Sequence, residues 1–229
     1  MTDNTLNPAA PAAAAIPEAT RWLALGAVAG PALFTLAWFV LGFLSPGMRF
    51  GGSPLIPSSP IATPISGLGL GPTAPFMNAA FVISGLLLII GVLGVFQTSD
   101  MASSGRPTAR WACAALLALT GVGLVVDGIF TLESFFPHFV GFLLGTGTPV
   151  VSFLAAGFFF RGIPRWRRFG NWLLLGSPLT LLLLVLSQLT FDQATIVAGQ
   201  GVAGLTSRIL ALEVLAWFVA MGWLAFRRP

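Results

Sequence analysis

The sequence predicts an all-α fold, a polytopic membrane helix bundle with six transmembrane helices and with both termini in the cytoplasm. Only 8% of its 229 residues are charged, whereas soluble domains carry about 25%. Six apolar runs are long enough to cross about 30 Å of hydrocarbon, which takes about 20 helical residues. The basic residues, all of them arginines, gather on one side of the membrane that these runs define. Lipid is therefore the expected solvent of this chain.

The chain divides into a short tail and one transmembrane domain. Residues 1–21 are rich in Ala and Pro and lack a basic n-region and an apolar core, so we expect a disordered cytoplasmic tail rather than a signal peptide. Residues 22–228 form the transmembrane domain, and its runs are too long for the alternating strands of an outer-membrane barrel. The predicted helices cover residues 22–44, 76–97, 111–131, 138–160, 170–190 and 205–226.

The placement of the arginines predicts the orientation, because cytoplasmic loops carry an excess of basic residues. With the N-terminus inside, only Arg49 and Arg208 fall on or near the outer side. The cytoplasmic arginines would be Arg21, Arg106, Arg110, Arg161, Arg165, Arg167, Arg168, Arg227 and Arg228. We therefore expect a multi-pass protein of the cell (inner/cytoplasmic) membrane. The net charge of +4 has this topological explanation, and no basic patch indicates nucleic-acid binding.

The first predicted outer loop, residues 45–75, is long, nearly uncharged and rich in Pro and Gly. Loops of this length in compact domains are usually either functional lids or disordered segments. Its apolar side chains favour a cap that packs on the outer face of the bundle. These side chains are Leu55, Ile56, Ile61, Ile65, Leu68 and Leu70.

The few polar side chains of the membrane region lie at one depth, in the predicted outer half. An ionisable group at a helix centre costs about 2.5–3.5 kcal/mol, so such groups rarely face lipid. Helical phase places Asp127 on one face with Thr120, and His138 on one face with Gly145. Both ionisable side chains should therefore point toward neighbouring helices. The candidate ligand-binding residues are Asn78, Asp127, Glu133, His138, Gln188, Arg208 and Glu213.

Two interpretations of these residues stay open. In the first, Arg208 pairs with Asp127 or Glu213 and only fixes the packing of the helices. In the second, the residues line a polar pocket that opens outward. A catalytic site would be a special case of the second, although no nucleophile–base spacing is visible. A single His and a single Cys, with no HxxxH pair, predict neither a metal site nor a cofactor.

The preferred function is the binding of a lipid or a small amphipathic ligand in this pocket. One alternative is a membrane enzyme that acts on a lipid or an isoprenoid, with His138 or a carboxylate as acid or base. Another is a structural or assembly subunit of a membrane complex. The expected partners are membrane lipid and the amphipathic ligand, not nucleic acid, and oligomerisation is left open. No internal repeat favours a secondary transporter.

Three stretches resemble a family of bacterial six-helix membrane proteins called domain of unknown function 998. They are residues 64–87 at the start of the second helix, 121–133 at the end of the third, and 204–228 in the last. The resemblance implies the same six-helix order over residues 22–228, with Glu133 as the family's acidic residue and Arg208 as its arginine. Phe142 stands where members often carry a second His, so the resemblance implies no two-histidine chemistry here.

Overall fold

The structure, a computed structural model, describes residues 18–227. Within that range six helical segments are long and apolar enough to cross a membrane, and we number these spans in chain order. They are Arg21–Leu44, Ala74–Phe96, Pro107–Ile129, Phe135–Arg161, Pro164–Thr190 and Ala203–Arg227. The predicted all-α, six-span architecture is confirmed. The predicted tail lies outside the described residues up to position 17, and the first helix begins at Glu18.

Several spans consist of more than one helical element. The α-helices are α1 (Glu18–Ala24), α2 (Gly26–Leu44), α3 (Ala74–Phe96), α4 (Ser99–Ala102), α5 (Pro107–Ile129), α6 (Phe135–Phe142), α7 (Thr148–Arg161), α8 (Arg167–Thr190), α9 (Gln193–Val197) and α10 (Ala203–Arg227). Two short 3₁₀ helices cover Ile65–Leu70 and Pro164–Trp166, and a π-helical turn covers Leu143–Gly147. The third and fifth spans begin earlier than predicted because a proline, Pro107 or Pro164, starts each helical segment ahead of its apolar run.

One end of the bundle has a core of large aromatic side chains. We call it the arginine-rich end, because its helix ends and connections carry Arg106, Arg110, Arg161, Arg165, Arg167 and Arg168. Phe96, Phe160 and Trp166 are fully buried there. The rings of Phe160 and Trp166 stack with their centroids 5.0 Å apart, and those of Phe96 and Phe160 lie 5.6 Å apart. Trp166 also donates from its indole nitrogen to the Asp100 carboxylate, at 3.3 Å. These contacts hold the second, fourth and fifth spans together at that end.

Glycines bring the spans into close contact in the middle of the bundle. A Cβ atom on Gly85 would lie 2.5 Å from the Gly121 carbonyl oxygen, and one on Gly121 would lie 2.6 Å from the Gly85 oxygen. Gly123 similarly faces Gly141 and Gly145 of the fourth span. Gly141 and Gly145, which form a GxxxG pair, therefore make the close helix contact that small residues allow in membranes.

The opposite end of the bundle is covered by residues 45–73, which we call the cap. Its two short antiparallel strands, β1 (Gly47–Met48) and β2 (Ile56–Pro57), pair Met48 with Ile56. Ile65 and Leu68 are buried in a cluster with side chains of the first, second and sixth spans. Leu55 and Ile61 are exposed. The cap thus lies against the capped end of the bundle through part of its apolar surface.

Candidate functional site

A cavity of about 180 Å³ lies at the capped end, between the cap and the helices. Side chains from all six spans line it, together with residues 64–66 of the cap. Most of its wall is apolar and much of it is aromatic. The polar lining residues are Ser66, Thr120, Asp127, His138, Thr146, Ser187, Gln188 and Ser207. An apolar cavity with a few converging polar groups is the usual form of a small-molecule site.

Asp127 and His138 form the ionisable part of the wall. Both are buried, with 9% and 6% of their surface exposed. His138 Nδ1 lies 2.8 Å from the carbonyl oxygen of Phe130 and 3.4 Å from Asp127 Oδ1. Because a carbonyl oxygen only accepts, this geometry assigns the proton of the neutral ring to Nδ1 and leaves Nε2 as an acceptor. The imidazole is therefore held by the end of the third span.

The chain around these two residues explains their meeting. The third span ends at Ile129, and Phe130 turns into an extended conformation that presents its carbonyl to the next helix. The fourth span begins at Phe135, three residues before the predicted start, so His138 lies one turn inside the helix. Gly141 faces the Asp127 carboxylate, and a Cβ atom at this position would collide with it. The missing side chain of Gly141 thus makes room for Asp127.

Two polar atoms on the cavity wall have no hydrogen-bond partner among the described residues. They are Oδ1 of Asp127 and the hydroxyl of Thr120, both buried. The two residues are seven positions apart on the same face of the third span, as helical phase predicts. An unsatisfied buried polar group costs about 1–3 kcal/mol. Because both residues line the cavity, a molecule bound there is the candidate partner for these atoms.

The π-helical turn of the fourth span, Leu143–Gly147, contributes Gly145 and Thr146 to the cavity wall. Its cause lies in Pro149, which has no N–H to donate to the Gly145 carbonyl and whose ring would clash with it in a regular helix. The Thr146 hydroxyl donates instead to the Phe142 carbonyl at 2.7 Å. Such turns are frequent at functional sites. Pro149 is the sequence signal for this turn, which the predicted helix over residues 138–160 did not include.

The other predicted site residues lie in different surroundings. Gln188 lines the cavity and is exposed. Asn78 is half-buried beneath the cap, with its amide nitrogen 3.5 Å from the Gly69 carbonyl oxygen. Glu133 is exposed in the connection between the third and fourth spans. Only Asp127, His138 and Gln188 of the seven predicted residues therefore lie on the cavity wall.

Glu213 faces the fifth span rather than the cavity. Its carboxylate accepts hydrogen bonds from the Trp217 indole nitrogen at 2.6 Å and from the Thr180 hydroxyl at 2.9 Å. Both donors are neutral, so they fix the side chain without cancelling a charge. Glu213 and Arg208 diverge around the sixth span as their five-residue spacing predicts.

Arg208 is buried without a carboxylate partner in the part of the chain that the structure describes. Its Nη1 donates to the carbonyl oxygens of Pro60 and Thr63 in the cap, at 2.9 and 2.8 Å, and to that of Gly204 at 2.9 Å. The ring of Trp38 lies 5.4 Å from the guanidinium carbon, which adds a cation–π contact. The ion pair with Asp127 or Glu213 that the packing interpretation required is not formed.

The proline-rich sequence of the cap explains these carbonyl partners. Prolines lack an N–H, so the chain between Pro60 and Pro64 forms no regular hydrogen-bond ladder and its carbonyls stay open. Arg208 takes two of them, and the backbone N–H of Leu205 donates to the Ile61 carbonyl at 2.9 Å. The first turn of the sixth span thereby satisfies one of its open donors. The sixth span thus holds the cap through polar contacts.

A family model described as "Protein of unknown function (DUF998)" matches residues 28–224. The chain belongs to the DUF998 family. The match runs from the first span to the last and includes the cap and the cavity wall, so the resemblance predicted from the sequence is confirmed. No curated protein and no solved structure matches this DUF998 chain. Within residues 18–227, no group of three or more His, Cys, Asp or Glu side chains is placed to hold a metal ion.

Proposed function

We propose that this DUF998 protein binds a lipid or a small amphipathic molecule in the cavity at the capped end. The observation that carries the proposal is a largely apolar cavity whose wall holds two unpaired buried polar atoms, on Thr120 and Asp127. An apolar chain would lie against the aromatic side chains, such as Phe34 and Phe142. The polar head would reach the Asp127–His138 side of the wall.

The lining residues that are also exposed favour entry from the lipid. Phe135, Phe139, Gln188 and Phe191 line the cavity and reach the surface at the capped ends of the fourth and fifth spans. In a membrane protein this side surface faces the hydrocarbon region or its interface. The ligand enters sideways between these two spans. With the predicted orientation, this mouth belongs to the outer half of the cell membrane.

Native mass spectrometry tests the proposal. The wild type, released from a mild detergent, is expected to carry a bound lipid or amphipath. Ala211, which lines the cavity on the sixth span, is replaced by Phe to fill it. Ala115 on the exposed face of the third span is replaced by Phe as the matched control. Ala211→Phe should lose the bound species and Ala115→Phe should keep it.

Two outcomes would contradict the binding proposal. If the folded wild type carries no bound species under any mild release condition, the cavity is not a ligand site. If Ala211→Phe carries the same species at the same occupancy as the wild type, the bound molecule lies elsewhere on the bundle. The first outcome, together with unfolding when the cavity is altered, would favour a structural or assembly subunit.

The second candidate function is a membrane enzyme that acts on a lipid or isoprenoid. It is favoured by the orientation of His138, whose Nδ1 is held by the Phe130 carbonyl while Nε2 makes no hydrogen bond among the described residues. This is how a general base is oriented toward a substrate. Proteoliposomes made from a bacterial lipid extract should then lose one lipid species over time with the wild type. A His138→Gln variant that consumes lipid as fast as the wild type would rule this role out.

A further inference from the structure

We infer that the head group accepted by this cavity is a hydrogen-bond donor without negative charge, an amine or an alcohol on an apolar chain. The inference rests on the proposed binding function and narrows its ligand class. It follows from three features of the wall: the charges it carries, the charges it lacks, and the direction of its unpaired hydrogen-bonding groups.

Among the described residues that line the cavity there is one carboxyl group and no arginine. Asp127 is the only acidic residue of this set, and His138 the only basic one. Arg208 follows Ser207, which lines the cavity, but its Nη1 is turned to the cap carbonyls of Pro60 and Thr63. A phosphate head group would therefore lie beside the Asp127 carboxyl group with no arginine or lysine of the wall to bind it. Burying an anion without a paired cation is strongly unfavourable.

The unpaired atoms of the wall are acceptors or can act as acceptors. Asp127 Oδ1 has no hydrogen-bond partner, and His138 Nδ1 lies 3.4 Å from it. That nitrogen already points its proton to the Phe130 carbonyl at 2.8 Å. His138 Nε2 is bare in the same tautomer. The Thr120 hydroxyl is also unpaired and can accept as well as donate. A ligand that brings a donor, such as an ammonium or a hydroxyl group, can therefore pair with each of these groups.

The space around Asp127 favours a small head group. Gly141 lies directly against the carboxylate and closes one side of it. The surrounding lining residues Phe139 and Leu132 are apolar and offer no partner to a large polar head. A primary amine or a single alcohol meets the available acceptors without burying further polar groups, which would remain unpaired.

The test compares three probes of equal chain length on the purified full-length protein in mild detergent. The probes are hexadecylamine, hexadecanol and hexadecyl phosphate, and their binding is measured by native mass spectrometry titration. The amine or the alcohol should bind at least about tenfold more tightly than the phosphate, the factor expected from one charged or well-placed hydrogen bond. Ala211→Phe should abolish this binding, because it fills the cavity.

The Asp127→Asn variant distinguishes an amine ligand from an alcohol ligand. If the ligand class is the amine, this variant should weaken hexadecylamine by about tenfold or more and leave hexadecanol within a few-fold. If it is the alcohol, hexadecanol should be the tighter probe in the wild type. Glu133→Gln is the matched control, because it removes an exposed carboxylate outside the cavity and should change neither affinity.

The outcomes that overturn the inference differ from those that overturn the binding function. Hexadecyl phosphate binding as tightly as the other probes, and lost in Ala211→Phe, would keep the cavity as a ligand site and reject the head-group assignment. Failure of all three probes to bind a folded wild type would reject the binding function and this inference with it.

Discussion

The two ends of the bundle differ in how the space between the helices is filled. At the arginine-rich end, this space holds stacked aromatic side chains such as Phe160 and Trp166, which are fully buried. At the capped end the helices surround a cavity, and a segment without regular secondary structure over much of its length closes it. A membrane protein gains little from burying apolar side chains away from lipid, so the filled end is held by packing itself. The open end is held by a few specific polar contacts.

The largest effect is expected at the filled end. Trp166→Ala removes a fully buried ring that stacks on Phe160 and donates to Asp100. It should lower the free energy of unfolding by about 3–5 kcal/mol, the range for a large buried aromatic residue. Thermal unfolding in detergent, followed by circular dichroism, measures the change.

Trp172 provides the control in the same span, because it is exposed at 53% of its surface. Trp172→Ala should change the unfolding temperature little, since surface substitutions usually stay within about 0.5 kcal/mol. Equal losses in the two variants would mean that the arginine-rich end is not the stable part of the bundle.

An intermediate effect is expected at the contact between the sixth span and the cap. Arg208→Gln removes a buried cation that binds the carbonyls of Pro60, Thr63 and Gly204. The variant should lose about 2–3 kcal/mol, because hydrogen bonds to charged groups are worth more than neutral ones. Hydrogen exchange in the cap should rise with it, while exchange in the third span should stay slow.

Arg49→Gln is the control for this prediction, since Arg49 is an exposed arginine of the cap itself. It should leave hydrogen exchange in the cap unchanged. If the cap exchanges equally slowly in Arg208→Gln and in the wild type, the apolar contacts of Ile65 and Leu68 hold it without the arginine.

The difference between the two ends of the bundle also explains which features could be predicted from the sequence. The six spans follow from local hydropathy, and the inward direction of Asp127 and His138 follows from helical period, so both can be predicted from short windows. The contacts of Arg208 with the cap cannot, because these partners are backbone carbonyls more than 140 positions away and carry no side-chain signature. Ionisable side chains can be identified from the sequence, whereas unpaired backbone carbonyls can be identified only once the fold is known.

Depth alone also proved too coarse to define the cavity wall. Glu133 and Glu213 lie near the predicted depth, yet one is exposed in a connection and the other faces Thr180 and Trp217. The residues that sequence analysis missed are mostly small or apolar, such as Ser187 and Ser207. They line the cavity because of where the fold places them. Their residue types do not distinguish them from the many other small residues of the spans.

The smallest stability change is expected inside the cavity wall, where the functional effect should be clearest. Gly141→Ala places a methyl group against the Asp127 carboxylate, which must then shift from its present position 3.4 Å from His138. Overpacking of this kind costs about 1–3 kcal/mol, and we expect the lower part of that range because the cavity beside Asp127 gives the carboxylate room to shift. Thermal unfolding measures the cost, and native mass spectrometry measures ligand occupancy, which should fall.

Gly147→Ala is the matched control in the same span, since a Cβ atom there would meet Leu143 at an ordinary contact distance of 3.6 Å. It should keep both stability and occupancy. A Gly141→Ala variant that is destabilised but keeps full occupancy would show that the position of Asp127 matters for packing only. A variant that loses occupancy with little loss of stability would instead show that ligand binding depends on the cavity and bundle stability on the filled end. It would change binding without weakening the aromatic core.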